Sequence, residues 1–171
     1  MSSVIDKLKP HKALSHGSKL PAHALKEDNP EQATVNLHEV PGKIVIVGVP
    51  GAFTPPCSSQ VPGYLQHADA FAAKGVAGIY IVAVNDAFTT QAWKEKLGGG
   101  GHKLVHFLAD DTGAFTKAAG LSFDASGLLG GHRSQRYAAV VHNGAVEHIF
   151  VEDEAPSVTV TAAEKVLAAI L

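Results

Sequence analysis

From Lys43 onward, apolar and polar positions follow two alternating rhythms. Ile44-Val45-Ile46-Val47-Gly48-Val49 is an unbroken apolar run, the pattern of a strand buried on both faces. Ala77 to Val84, ending at Asn85-Asp86, and Leu104 to Leu108 predict two more strands of this kind. Helical patterns lie between them. Ser58 to Lys74 reads as a helix stopped by Gly75, with a kink expected at Pro62, and Thr89 to Leu97 as a helix stopped by Gly98 to Gly101. Asp110-Asp111 leads into a short helix around Ala114 to Ala119.

After a loop from Ser122 to Ser134 the period changes. Tyr137 to His142 and Ala145 to Val151 are strands joined by Asn143-Gly144, a type I′ hairpin signal. Thr161-Ala162-Ala163-Glu164 has the form of a capping box opening a last helix. Residues 1–40 are weakly patterned and punctuated by Lys, His and Pro; Thr34 to Leu37 is expected to be a short edge strand, making this stretch an N-terminal extension of the sheet. The expected fold class is α/β, a central mixed sheet flanked by helices on both faces, formed by one domain over residues 1–171.

Composition narrows the function classes. The chain is 46% hydrophobic, ordinary for a packed core, and its net charge of −2 argues against nucleic-acid or membrane-surface partners, which call for basic patches. No apolar run approaches a membrane span. Met1 to Pro10 lacks the apolar core of a signal peptide, and the last residues are not a Ser-Lys-Leu address, so a cytoplasmic location is expected, with mitochondrion and peroxisome left open.

Cys57 is the only cysteine, which rules out an intramolecular disulfide. It follows the first strand and two turns, Pro50-Gly51 and Thr54-Pro55-Pro56, and sits where a helical pattern opens. Free backbone N–H groups and the macrodipole at such a place favour an anion, and the thiolate is the reactive form of a thiol. A thiolate that attacks peroxide also needs donors to polarise the O–O bond and shelter from water. Thr54, three residues earlier, can turn its hydroxyl toward the sulfur; Pro50 can wall the site and has no N–H; the Cys57 N–H is a further donor. Of the two arginines, Arg133 and Arg136, the second immediately precedes a strand and is the better candidate for a cation that holds the thiolate and a leaving oxyanion together.

These residues resemble a known family. Pro50-x-x-x-Thr54-x-x-Cys57 matches the peroxiredoxin active-site motif, and Gly48-Val-Pro-Gly-Ala-Phe-Thr-Pro-Pro-Cys57 is similar to the peroxiredoxin-5, or type II, subfamily. The likeness continues through Val82 to Phe88, Trp93, Ala109 to Phe115 and Arg136 to Val141, covering roughly residues 40–155. It implies a thioredoxin-like fold and a thiol peroxidase needing neither heme nor metal. Cys57 would be the peroxidatic cysteine, Thr54 and Pro50 its motif partners and Arg136 the catalytic arginine, with Gly51 and Phe53 at the substrate pocket. The resemblance also implies a homodimer packed through the active-site side, and a role in antioxidant defence and redox homeostasis.

Two departures stand out. Some members carry a second, resolving cysteine; Val160 occupies about that place here, so the sulfenic acid would be recycled by an external thiol such as glutathione, a glutaredoxin or a thioredoxin, unless two Cys57 thiols meet. Many members also have a histidine before the Val-Pro-Gly that follows the cysteine, whereas Cys57-Ser58-Ser59-Gln60-Val61-Pro62-Gly63 is one residue shorter and lacks it.

Blander readings stand beside each of these. Cys57 could be an inert buried thiol, Arg136 half of a salt bridge, Thr54 only a helix cap, and Arg133 a supporting or surface residue. His102 and His106 are four apart but have no third ligand nearby, which reads against a metal. Asp110-Asp111 and Glu152-Asp153-Glu154 are read as loop and solvent-facing charge; Tyr64, Phe53, Phe88 and Phe115 as core or pocket wall, with Phe53 and Phe88 also candidates for a dimer face. The competing functions are a cysteine hydrolase, which would need a histidine base, and a non-catalytic peroxide sensor or peroxide-triggered chaperone. A dithiol oxidoreductase is disfavoured because Cys57 has no Cys-x-x-Cys partner.

Overall fold

A computed structural model describes residues 12–171. Its centre is a five-stranded mixed sheet in the order β3-β2-β1-β6-β7, built from β1 (Lys43–Val49), β2 (Val76–Ala83), β3 (Val105–Ala109), β6 (Tyr137–His142) and β7 (Ala145–Val151). β1, β2 and β3 are parallel; β6 runs antiparallel to β1, and β7 antiparallel to β6. The hairpin turn has Asn143 at φ 49° and Gly144 at φ 80°, the two positive angles a type I′ turn requires.

The period of two along β1 divides the core. Val45, Val47 and Val49 face one side, where they meet Val61 and Tyr64 of α1 (Pro55–Gln66), Phe71 of α2 (Ala68–Ala73), Trp93 of α3 (Ala87–Lys96) and Val166 of α6 (Ala163–Ala169). Ile44 and Ile46 face the other, where they meet Phe115 of α4 (Ala114–Ala118) and Leu14, Leu20, Leu25 and Leu37 of the N-terminal segment. Helices therefore lie on both faces, but one face is closed chiefly by a leucine-bearing strap.

Several expectations change. Thr34 to Leu37 is not a strand: Val35 makes a single bridge with Leu25, and Leu37–Glu39 is a 3-10 turn. The strap does not extend the sheet as a strand; it touches both edges through single bridges, Lys19 to Ala145 and Lys26 to Ala109, while its leucines supply the burial. The part of that expectation on residues 1–11 lies outside the described residues. The helix expected from Ser58 to Lys74 starts earlier, at Pro55, because proline suits a helix's first turn, and it breaks at His67 rather than at Pro62. The segment from Ser122 to Ser134 is not a bare loop. It holds a two-stranded ribbon, β4 (Ser122–Asp124) with β5 (His132–Ser134), closed by α5 (Ser126–Leu129).

The capping box does not form. The last helix begins at Ala163 with Ala162 at its cap, because the Thr161 hydroxyl donates to Glu152 instead. The acidic pairs are likewise not all solvent-facing. Asp110 is buried and caps α4 by accepting from the Phe115 and Thr116 N–H groups, and Glu152 is only 6% exposed. Tyr64 and Phe115 belong to the core, but Phe88 is exposed.

One glycine sets the spacing of β1 against β6. Gly48 lies opposite Tyr137, and a Cβ on it would stand 2.0 Å from a Tyr137 ring carbon. Gly48→Ala is expected to cost about 3 kcal/mol or more, lowering Tm by roughly 6–12 °C in a thermal melt. A melt unchanged within error would mean the ring moves aside freely.

Candidate active site

Topology brings the site together before any side chain is considered. The loop 50–54 leaves the C-terminal end of β1. Because β6 is antiparallel to β1, its first residue, Tyr137, pairs with Gly48 there, and Arg136, just before it, lines the same cavity as Pro50 and Thr54 of that loop. Tyr137 in turn pairs with Val151 at the C-terminal end of β7, and the Glu152 N–H donates to the Arg136 carbonyl, 3.0 Å away. Three strand ends thus converge on one point, as in open α/β sheets generally.

Cys57 is the third residue of α1, and the first two are Pro55 and Pro56. Prolines have no N–H, so the first free donor of this helix is the backbone N–H of Cys57 itself. It makes no hydrogen bond among the described residues, whereas the next N–H, of Ser58, donates to the Thr54 carbonyl at 2.9 Å. The helix end therefore presents its unused donor and the positive end of its dipole at the sulfur.

The sulfur has 0% exposure. Arg136, 1% exposed, donates to it from Nη2 at 3.1 Å. Its Nε donates to the Ala155 carbonyl at 2.9 Å and its Nη1 to Gln60 Oε1 at 2.5 Å. No carboxylate pairs with this guanidinium among the described residues, so it does not form the structural salt bridge of the blander reading. Its charge is directed at the thiol.

Thr54 stands at the helix cap position, but its side chain caps nothing; its hydroxyl donates to the Gly51 carbonyl at 3.0 Å, leaving its oxygen free to accept. Arg133 is half-buried and makes two long contacts, to the Pro50 carbonyl at 3.4 Å and the Leu129 carbonyl at 3.3 Å, so it braces the loop rather than the sulfur. The loop is braced from its other side by Asn85 Oδ1, which accepts from the Ala52 N–H at 2.9 Å.

A cavity of about 640 Å³ opens over the site. Pro50, Thr54 and Arg136 line it at the site end, and Phe123, Leu128 and Pro156 give it apolar walls. Gly51 and Phe53, expected at the pocket, do not line it. Gly51 is buried against Arg133 and Thr54, and Phe53, at φ 66° and 49% exposed, points outward. His102 and His106 serve separate carboxylates, Asp69 and Glu27, and no cluster fit for a metal occurs among the described residues.

Three contributors were not read from the sequence. Gln60 is buried one helical turn after Cys57 and holds Arg136; its place at i+3 from the cysteine, polar on an apolar face, was the available signal. Thr161 accepts from Gln60 Nε2, 3.0 Å, and its carbonyl accepts from the Tyr64 hydroxyl. Burial drives the Tyr64 hydroxyl's pKa well above its ordinary value, so it stays a donor. Glu152 accepts from Thr159 and Thr161. Burial pushes its pKa up, but those hydrogen bonds outweigh it and hold the carboxyl at about 2.

The chain resembles known proteins over most of its length. The Redoxin family matches residues 15–167. The chain is 56% identical over 156 residues to peroxisomal membrane associated protein 20 of Schizosaccharomyces pombe, covering 90% of this chain and 97% of that one. It is 42% identical over 145 residues to peroxiredoxin-2C of Oryza sativa, covering 84% and 88%. Among solved structures, reduced Prx3 of Vibrio vulnificus in complex with hydrogen peroxide superposes with a TM-score of 0.83 at 41% identity, covering 92% of this chain and 96% of that one. Peroxiredoxin 5 of Alvinella pompejana gives 0.81 at 30% identity, covering 92% and 97%.

Proposed function

Because the chain belongs to the Redoxin family and is a peroxiredoxin, a thiol peroxidase of thioredoxin-like fold, we propose that Cys57 is its peroxidatic thiolate and works by a one-cysteine cycle. The observation that carries this is the buried contact between Arg136 Nη2 and Cys57 Sγ, 3.1 Å, with no carboxylate among the described residues drawing the charge away. A guanidinium fixed against a sheltered sulfur stabilises the anion and is already in place for the charge that develops on oxygen.

In the first step the thiolate attacks the terminal oxygen of a hydroperoxide that enters from the cavity. An S–O bond forms and the O–O bond breaks with both electrons leaving on the distal oxygen. That oxygen takes a proton and departs as water or an alcohol, while Cys57 becomes a sulfenic acid. Arg136 and the Cys57 N–H are placed to hold the oxygens, and Thr54 to accept from the peroxide O–H. In the second step an external thiol attacks the sulfenic sulfur, expelling water and leaving a mixed disulfide, and a second thiol equivalent releases reduced Cys57. Glutathione with a glutaredoxin, or a thioredoxin, would fill that role. The apolar cavity walls favour organic hydroperoxides alongside hydrogen peroxide.

The test follows reduced protein mixed with one equivalent of peroxide by rapid quench and intact mass. Sulfenic acid should form far faster than free cysteine oxidises, and glutathione or thioredoxin should restore the thiol over many cycles. Rapid oxidation without turnover by any thiol would support the peroxide-sensor reading instead. The protein is further proposed to be a homodimer, because Phe53, Phe88 and Leu128 leave large apolar side chains exposed. Light scattering should give about twice 17.8 kDa; a monomer at every concentration would refute it.

A further inference from the structure

Within Glu152-Asp153-Glu154 one acid turns inward. Glu152 accepts from the Thr159 N–H at 2.7 Å and the Thr161 N–H at 3.0 Å, and from both threonine hydroxyls. No cation pairs with it among the described residues. Its hydrogen bonds have a direction. A carboxylate is acceptor-only, so the Thr161 hydroxyl must give it the proton, and the Thr161 oxygen is left to accept. Gln60 Nε2 fills that acceptor at 3.0 Å and also donates to the Thr161 carbonyl at 3.2 Å, and together these bonds turn Gln60 Oε1 toward Arg136 Nη1. The same carboxylate closes the 152–161 loop, whose Ala155 carbonyl receives Arg136 Nε.

We propose that Glu152 is a positioning residue for the peroxide reaction. Acting through Thr161 and Gln60, and through the loop it closes, it fixes the orientation of the Arg136 guanidinium against Cys57. Neutral glutamine at 152 can donate to Thr161. The threonine hydroxyl is then free to turn its proton toward Gln60 Nε2, where two donors oppose each other, and the amide is held in its orientation by the Thr161 carbonyl alone. This inference rests on the peroxidase reading given above.

The experiment compares wild type with Glu152→Gln, Thr161→Val and Thr161→Ser. It measures the second-order rate of Cys57 oxidation by hydrogen peroxide, the rate of alkylation by iodoacetamide, and the thermal melt. Glu152→Gln and Thr161→Val are expected to slow peroxide oxidation about 10-fold or more, and alkylation much less, because alkylation does not need the guanidinium at a leaving oxygen. Thr161→Ser, which keeps the hydroxyl, should react like wild type. The double variant Glu152→Gln/Thr161→Val should be no slower than the slower single one, since both cut the same chain of bonds. If Glu152→Gln does not fold, the Thr161 pair carries the comparison alone. Variants that melt lower yet oxidise at the wild-type rate would overturn the proposal and leave Glu152 a staple of the loop. Wild-type oxidation no faster than free cysteine would instead remove the peroxidase reading on which the proposal stands.

Discussion

Replacing Cys57 with serine is expected to abolish the peroxidase activity and to leave the fold in place. The hydroxyl is un-ionised near neutral pH and cannot be carried to a sulfenic acid, so neither half of the cycle has a starting point. Loss of a covalent nucleophile costs on the order of 10⁶-fold where it has been measured in a protease, and a loss to background is expected here. The structure should tolerate the change. Serine is close to isosteric, and its oxygen can still accept from Arg136 Nη2, which lies 3.1 Å from the sulfur. The melt should shift by no more than about 4 °C. A steady-state assay with hydrogen peroxide and a recycling thiol, run beside the melt, checks both halves. Retained peroxidase activity in a folded variant would sink the assignment of Cys57.

The second large effect belongs to Arg136. Arg136→Met keeps much of the buried apolar volume and removes the three donors that reach Cys57, Gln60 and the Ala155 carbonyl. Removing a single fixed donor at a developing oxyanion costs roughly 10²–10³-fold. Here the cation beside the thiolate goes as well, so the peroxide rate should fall at least about that far. Arg136→Lys should recover only part of the loss, because an ammonium is a point charge and cannot hold three divergent acceptors in one plane. Stopped-flow oxidation of the reduced variants gives the rates directly. An unchanged rate for the methionine variant would show that the guanidinium only packs, and Arg133 of β5, which makes long contacts to the Pro50 and Leu129 carbonyls, would become the next candidate.

The contact between these residues also shows where sequence reasoning stops. Arg136 was singled out because only two arginines exist and this one precedes a strand. That it touches Cys57, 79 residues earlier, follows from β6 running antiparallel to β1, which no local pattern states. Gln60 lay one helical turn from Cys57 and was legible in principle, but its value depends on Thr161, 101 residues away. Thr161 itself was misread. The string Thr-Ala-Ala-Glu has the form of a capping box, yet a buried carboxylate outbids a helix end for the hydroxyl.

The chain alone determined the five strands of its central sheet, its hairpin and most of its helices, because each is written in a short-range period of apolar residues or in the φ preferences of Gly, Asn and Pro. It also determined that Cys57 stands at a helix start behind two prolines. The tertiary structure decided what surrounds that sulfur. Burial at 0% exposure, the approach of Arg136, the inward turn of Glu152 and the leucine strap across the second face all depend on segments far apart in sequence. The physical reason is one of range. Backbone periodicity is set by neighbours within a few residues, whereas the direction of a hydrogen bond or the company of a charge is set only when distant segments share one core.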